Sequence, residues 1–284
     1  MSKISVVTDS TSWMPRDLIA KYNITVAPQV LIWGEQTLND GVDIQPDEFY
    51  ARLKTAKVLA TTSQVPVPVM EKIFREQVGQ GADVIGIFVS SKLSGTVQSA
   101  MLAREMMGKA GEKVHIVDSL ATAMAMGFQV LATSRAIADG AGLADAKAVA
   151  EKARDHTGVY FAVDTLEFLH RSGRIGGAQR LLGTALNMKP VLALQDGRVD
   201  AVERIRTKRK AVERVIEIVV EKTKGKTPIR LATLHANAGQ EAKEMLERAA
   251  QELNPVEALF TEVSPVVGNV AGPGVVGLAY MAGM

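Results

Sequence analysis

Residues 83–100 read D-V-I-G-I-F-V-S-S-K-L-S-G-T-V-Q-S-A. A β-branched apolar run ends in hydroxyl side chains and a glycine, and helical spacing follows at once. Strand, tight turn and helix in that order make the repeating unit of a parallel sheet covered by helices. The turn has a chemical consequence as well. A helix N-terminus exposes unpaired N–H groups and the positive end of the helix dipole, which favours an anion on its axis. Ser94, Gly95 and Thr96 stand at that point, with Gly95 allowing close backbone approach and the hydroxyls adding donors.

The same pattern extends outward through the first half of the chain. Ile4–Val7 is a strand ending in T-D-S-T-S (8–12), and Ile24–Trp33 is a second extended run before a turn at Gly34. T-T-S-Q (61–64) precedes Pro66 and places Thr62 and Ser63 as a second donor pair at the start of a helix. Val114–Val117 leads into D-S (118–119) and an uncharged helix running to about Ser134. In the second half, Gln195-Asp196-Gly197 joins two extended runs as a hairpin, and helix 239–253 lies between strands 229–234 and 256–263. Val263–Met284 is rich in Gly and Pro and reads as a loop followed by a short helix. The expectation is two α/β domains, residues 1–157 with a mainly parallel sheet and residues 158–284 with a mixed one, and a ligand between them.

Composition excludes several kinds of chemistry. The 284 residues carry 33 Lys plus Arg against 31 Asp plus Glu, a formal charge of +2 that makes no electrostatic case for nucleic acid. There is no cysteine, which removes disulfides, thiolate nucleophiles and thiolate metal sites. The four histidines, His115, His156, His170 and His235, show no metal-ligand spacing, so neither a metal nor another cofactor is expected. The first ten residues enter a strand without a leader-like apolar core, and no uninterrupted apolar helix of spanning length follows. A cytoplasmic protein with at most transient membrane contact is expected.

The anion is read from what the turns lack. Neither G-x-x-x-x-G-K-[ST] nor G-x-G-x-x-G is present, so a nucleotide has little support. A half-buried carboxylate can be held by neutral hydroxyls and amides without desolvating a lysine when the site is empty. The uncharged helix, with its Ala, Gly and Met residues, is core by its pattern and a candidate wall for an adaptable acyl chain. At about 0.8 kcal/mol per buried methylene, a long tail contributes on the order of 10 kcal/mol before the costs of association. Asp9 with Ser10 and Asp118 with Ser119 follow strands and serve as caps or orient the hydroxyls. Ser94 with His235 as base fits no G-x-S-x-G context, so a hydrolase is disfavoured. Arg198–Lys226 holds ten basic and five acidic residues, a solvated helix face or a docking surface for an acidic partner.

Taken together the motifs resemble the DegV family, whose better understood members are the fatty-acid-binding subunits of bacterial fatty acid kinase. They are T-D-S-T-S (8–12), T-S-Q (62–64), S-S-K-L-S-G-T (90–96), D-S (118–119), R-S-G-R-I (171–175), R-T (206–207), H-A-N (235–237) and G-P-G (272–274). Each is weak alone, and their order along almost the whole chain is specific. The resemblance implies a long-chain fatty acid enclosed between two domains, its carboxylate held at Thr62 and Ser94. It further implies a separate kinase catalytic subunit that makes an acyl phosphate, and acyltransferase machinery of phospholipid synthesis that uses it. Arg174 and Arg206 match family arginines at the kinase-facing edge. In one departure, Val270 stands where the family commonly has a carboxylate-holding histidine, with Asn269 beside it as an alternative donor. Two other readings stay open: a lipid-storing or lipid-sensing protein without a kinase, and an enzyme using the Ser/Thr crevice on a small anion.

Overall fold

The computed structural model describes residues 3–182 and 188–284. Its first strands and helices are β1 (Lys3–Asp9), α1 (Arg16–Lys21), β2 (Thr25–Ala27), β3 (Val30–Trp33), β4 (Gln36–Asn39), α2 (Pro46–Leu53) and β5 (Thr61–Ser63). They are followed by α3 (Val67–Gly79), β6 (Ala82–Phe88), α4 (Thr96–Met106), β7 (Val114–Asp118), α5 (Ala123–Ala138) and α6 (Leu143–Lys152). Four of these strands form a parallel sheet in the order β2-β1-β6-β7. The stretch quoted above is its β6–α4 unit. The turn that the sequence marks as an anion site therefore lies at the carboxyl edge of the sheet, where ligands of open α/β sheets bind.

The remaining elements are β8 (Thr157–Ala162), α7 (Glu167–Arg171), β9 (Val191–Gln195), β10 (Arg198–Glu203), α8 (Lys208–Thr223), β11 (Ile229–His235), α9 (Gly239–Leu253), β12 (Glu257–Leu259), α10 (Pro265–Ala271) and β13 (Val276–Ala282). Their six strands form a mixed sheet ordered β10-β9-β8-β13-β11-β12. Asp196 and Gly197 both take positive φ in the β9–β10 turn, as a two-residue hairpin requires. Helix α5 packs on strands of both large sheets and buries residues all around its circumference. That sandwiched position is why Ala123–Ser134 carries no charge, since a helix with two apolar neighbours has no solvent face there; Arg135 comes only in the last turn, where it pairs with Glu257.

Four expectations are corrected. Thr62 and Ser63 do not start a helix: they lie in β5, which pairs antiparallel with β3 in a separate three-stranded sheet, β4-β3-β5. Ile24–Trp33 is two strands, interrupted at Pro28 and Gln29, because Pro28 offers no N–H to a ladder. The strand expected over 256–263 is paired only over Glu257–Leu259. The C-terminal stretch is a helix and then a strand, not a loop and then a helix. Pro265 occupies the first helical turn, where its missing N–H costs nothing, and the Ser264 side chain caps α10 by accepting from the Val267 N–H. Gly272, at φ +87°, ends that helix, and the run V-G-L-A-Y-M-A becomes β13, buried along its length in the interior of the six-stranded sheet.

Gly277 shows how tightly this strand is fitted. A Cβ there would meet the Tyr160 carbonyl oxygen and Phe161 on the neighbouring β8. We expect Gly277→Ala to destabilise the protein by about 1–3 kcal/mol, the usual cost of overpacking. Urea denaturation of the two proteins measures it, and Gly79→Ala, where a Cβ meets nothing within 4 Å, serves as the control.

Candidate functional site

A cavity of about 1020 Å3, its open mouth included, lies between the parallel sheet and the six-stranded sheet. Thr62, Ser63, Gln64, Ser94 and Gly95 line it on one side, and Val159, Phe161, Leu169, Leu194, Val199 and Leu234 form much of its apolar wall. Val266, Val267, Val270 and Ala271 bring α10 into the lining. Arg174 is the single charged side chain of the lining, among the described residues. Its Nε donates to the Leu93 carbonyl at 3.2 Å, which ties the second half of the chain to the turn before α4.

The turn itself is built from hydroxyls that serve each other. Ser90 Oγ donates to the Gly197 carbonyl at 2.8 Å and holds the β9–β10 hairpin against the turn. Ser94 Oγ and Thr96 Oγ1 lie 3.0 Å apart, and the Thr96 N–H donates to Ser94 Oγ at 3.3 Å, so one orphan donor of the helix start is satisfied within the turn. The Thr62 hydroxyl makes no hydrogen bond to another described residue and lies on the same cavity. Gln64 lies against Gly95, where an added Cβ would stand 2.7 Å from the Gln64 Cδ. Any side chain at position 95 would displace Gln64 from the cavity rim.

The other predicted positions are placed elsewhere. Thr96 is fully buried behind Ser94, with the Val65 N–H donating to its Oγ1 at 3.4 Å. Asn269 does not line the cavity; its Nδ2 donates to the Ala60 carbonyl at 3.0 Å and steadies the approach to β5, the strand carrying Thr62. The Asp118 carboxylate accepts from the Ser91 and Leu120 N–H groups, and the Ser119 hydroxyl from the Ala121 N–H, so both organise turns. His235 is buried against Phe260 behind the cavity wall, and burial pushes its pKa down. Arg206 is exposed and does not reach the lining. Helix α5 contributes only its entry, Thr122 and Ala123, so the wall expected from it is supplied mainly by the second sheet and α10. Among the described residues no group of His, Asp and Glu could hold a metal, and no helix is long and apolar enough to cross a membrane.

Thr11 and Gln29 also line the cavity and were not singled out from the sequence. Both are set by Asp9, which is fully buried. Its Oδ1 accepts from the Thr11 N–H at 3.0 Å, the Thr11 hydroxyl at 2.6 Å and the Gln29 amide at 3.3 Å; its Oδ2 accepts from the Val89 N–H at 2.7 Å. The legible trace was a polar Gln29 inside the apolar run I-T-V-A-P-Q-V-L-I-W. A second buried carboxylate, Asp40, accepts from the Ser10 hydroxyl at 2.6 Å and from the Val266 N–H at 3.2 Å. Ser10 Oγ in turn accepts from the Gln29 N–H at 3.1 Å. The cavity-lining helix α10 is thus pinned, through Asp40 and Ser10, to the strand edge that presents Gln29.

Comparison with known proteins gives one consistent answer. The DegV family model, described as an uncharacterised protein family, matches residues 3–283. A DegV domain-containing protein of Clostridium perfringens is 32% identical over 279 residues, 98% of each chain. A solved DegV family protein from Thermus thermophilus, whose structure is described as fatty acid binding, superposes with a TM-score of 0.93 at 34% identity, covering 99% of both chains. DegV of Bacillus subtilis, described as a fatty acid binding protein, gives a TM-score of 0.90 at 30% identity over 99% of this chain and all of its own.

Asp40 gives this region an acid response. Burial, opposed by the Ser10, Ser264 and Val266 hydrogen bonds and reinforced by Asp9, pushes its carboxyl from 3.8 up to about 6. The folded state then holds the proton more tightly than the unfolded chain, so its contribution to stability is greatest in acid and is lost as pH rises between about 4 and 6. The displacement corresponds to about 3 kcal/mol. We expect the stability difference between wild type and Asp40→Asn to shift by that order across this window and to be level above it. Urea denaturation of both proteins at a series of pH values checks it.

Proposed function

The chain belongs to the DegV family, and from that premise we propose that it binds one long-chain fatty acid in the cavity between its sheets. The carboxylate lies at Thr62 and Ser94, and the tail follows the Val, Leu and Phe wall. One observation carries the reading: neutral hydroxyls and an apolar wall share a single cavity. Fatty acid binding by the Thermus thermophilus and Bacillus subtilis relatives supports it. Residues 1–157 and 158–284 are the two parts that meet on the ligand.

The chain acts as a carrier with no catalytic step of its own in this reading. It presents the carboxylate to a separate fatty acid kinase subunit and passes the acyl phosphate to acyltransferases of phospholipid synthesis. Arg174 on the cavity and Arg206 on the exposed surface face that kinase and stabilise the phosphate being attached. Ser63, Gln64 and Gly95 shape the opening through which the carboxylate is reached. The protein works in the cytoplasm and meets a membrane only in passing.

Position 270 favours a second reading. Val270 lines the cavity where the family commonly supplies a histidine, so the carboxylate lacks one donor, and the protein stores or senses fatty acid without phosphorylation.

Organic extraction of protein purified from bacteria, followed by mass spectrometry, is expected to release fatty acid in near-stoichiometric amount. An empty extract together with no uptake of added oleate or palmitate rules the reading out. Ser94→Ala is expected to weaken oleate binding by roughly tenfold or more, the worth of a hydrogen bond to a charged group, and to reduce acyl phosphate formation with a kinase subunit further than it reduces lipid retention. Val270→His separates the two readings. It raises acyl phosphate formation if the chain is a kinase carrier and leaves it at background if no kinase is served.

A further inference from the structure

Resting on the fatty-acid reading, we infer that Thr96 is a positioning residue that fixes the Ser94 hydroxyl as a hydrogen-bond donor and so selects ligand head groups that accept. The distance between Ser94 Oγ and Thr96 Oγ1, 3.0 Å, leaves the direction of their bond open. The surroundings decide it. Thr96 is fully buried, and the Val65 N–H donates to its Oγ1. If Ser94 donated to Thr96, the Thr96 proton would have no acceptor among the described residues, and an unmet buried hydroxyl proton is costly. Thr96 therefore donates to Ser94.

Ser94 Oγ then accepts twice, from the Thr96 hydroxyl and from the Thr96 N–H. Its lone pairs are occupied and its own proton is the group left for the cavity it lines. The chain of donors runs from the Val65 N–H through Thr96 to Ser94 and ends on the ligand, each bond polarising the next. A carboxylate or the carbonyl oxygen of an acyl phosphate satisfies that end. An alkylammonium, which has no lone pair, leaves it unmet, and an alcohol accepts only weakly compared with a charged oxygen. The hydroxyl of Thr11 is committed in the opposite sense, since it donates to Asp9 and offers the cavity only lone pairs. The two sides of the site thus differ in polarity, and the carboxylate belongs on the Ser94 side.

The test compares oleate with oleyl alcohol, which share a tail, on wild type, Thr96→Val and Thr96→Ser. Wild type is expected to prefer oleate. Thr96→Val keeps the shape and removes the hydroxyl, so the preference falls by about tenfold with alcohol binding unchanged, and Thr96→Ser restores it. A folded Thr96→Val protein with the wild-type preference, or a serine variant that fails to rescue, overturns the inference while the lipid reading stands. Wild type that takes up neither ligand ends both. Should the valine variant not fold, the hydroxyl protons of the wild type serve instead. Oleate is expected to move the Ser94 hydroxyl resonance downfield by more than that of Thr96, which shifts only through the polarised chain; a larger shift at Thr96 overturns the assignment.

Discussion

A buried carboxylate, that of Asp9, joins three chain segments that the sequence keeps apart. Leaving a charge in the interior is costly unless hydrogen bonds replace its water, so Asp9 forces its neighbours into place around it. The N–H of Val89 comes from the end of β6, the amide of Gln29 from the break between β2 and β3, and the hydroxyl of Thr11 from the turn after β1. These segments meet at the carboxyl edge of the parallel sheet, and the cavity opens there. Asp9 touches no part of the cavity itself. It acts by fixing what does.

The way the cavity is lined follows from the energetics of an empty site. A lysine facing an apolar wall would be desolvated whenever no anion was bound, whereas hydroxyls can satisfy each other. Ser94 and Thr96 do so, and Arg174 keeps its charge at the rim with Nε on the Leu93 carbonyl. The tail supplies affinity through buried area and the hydroxyls supply orientation, which divides the two tasks between the sheet-derived wall and the turn before α4.

The helix α10 connects the two halves of this arrangement. Its N-terminal Val266 N–H is held by Asp40, and Asn269 holds the Ala60 carbonyl ahead of β5. A residue that sequence reading treats as a ligand is thereby a brace for the strand that carries Thr62. Val270 on the same helix reaches the cavity while its neighbour Asn269 does not, because adjacent helical residues point about 100° apart.

The sequence by itself determined the parallel β6–α4 unit, the Asp196-Gly197 hairpin and the family, because each rests on local order: strand period, turn chemistry, motif succession. It also marked Ser94 and Gly95 in the turn before α4, and Thr62 and Ser63 as hydroxyls although they lie in a strand; all four line the cavity. Only the tertiary structure decided that α5, core by its pattern, lies between two sheets, that β5 belongs to a third sheet, and that the Gly-rich terminus joins the second sheet as β13. Those outcomes depend on what each segment packs against, and an apolar run reads alike whether its neighbour is a helix or a strand. The direction of the Thr96–Ser94 bond belongs to the same class: it is set by Val65, which lies 31 residues from Thr96 in sequence and is brought beside it only by the fold.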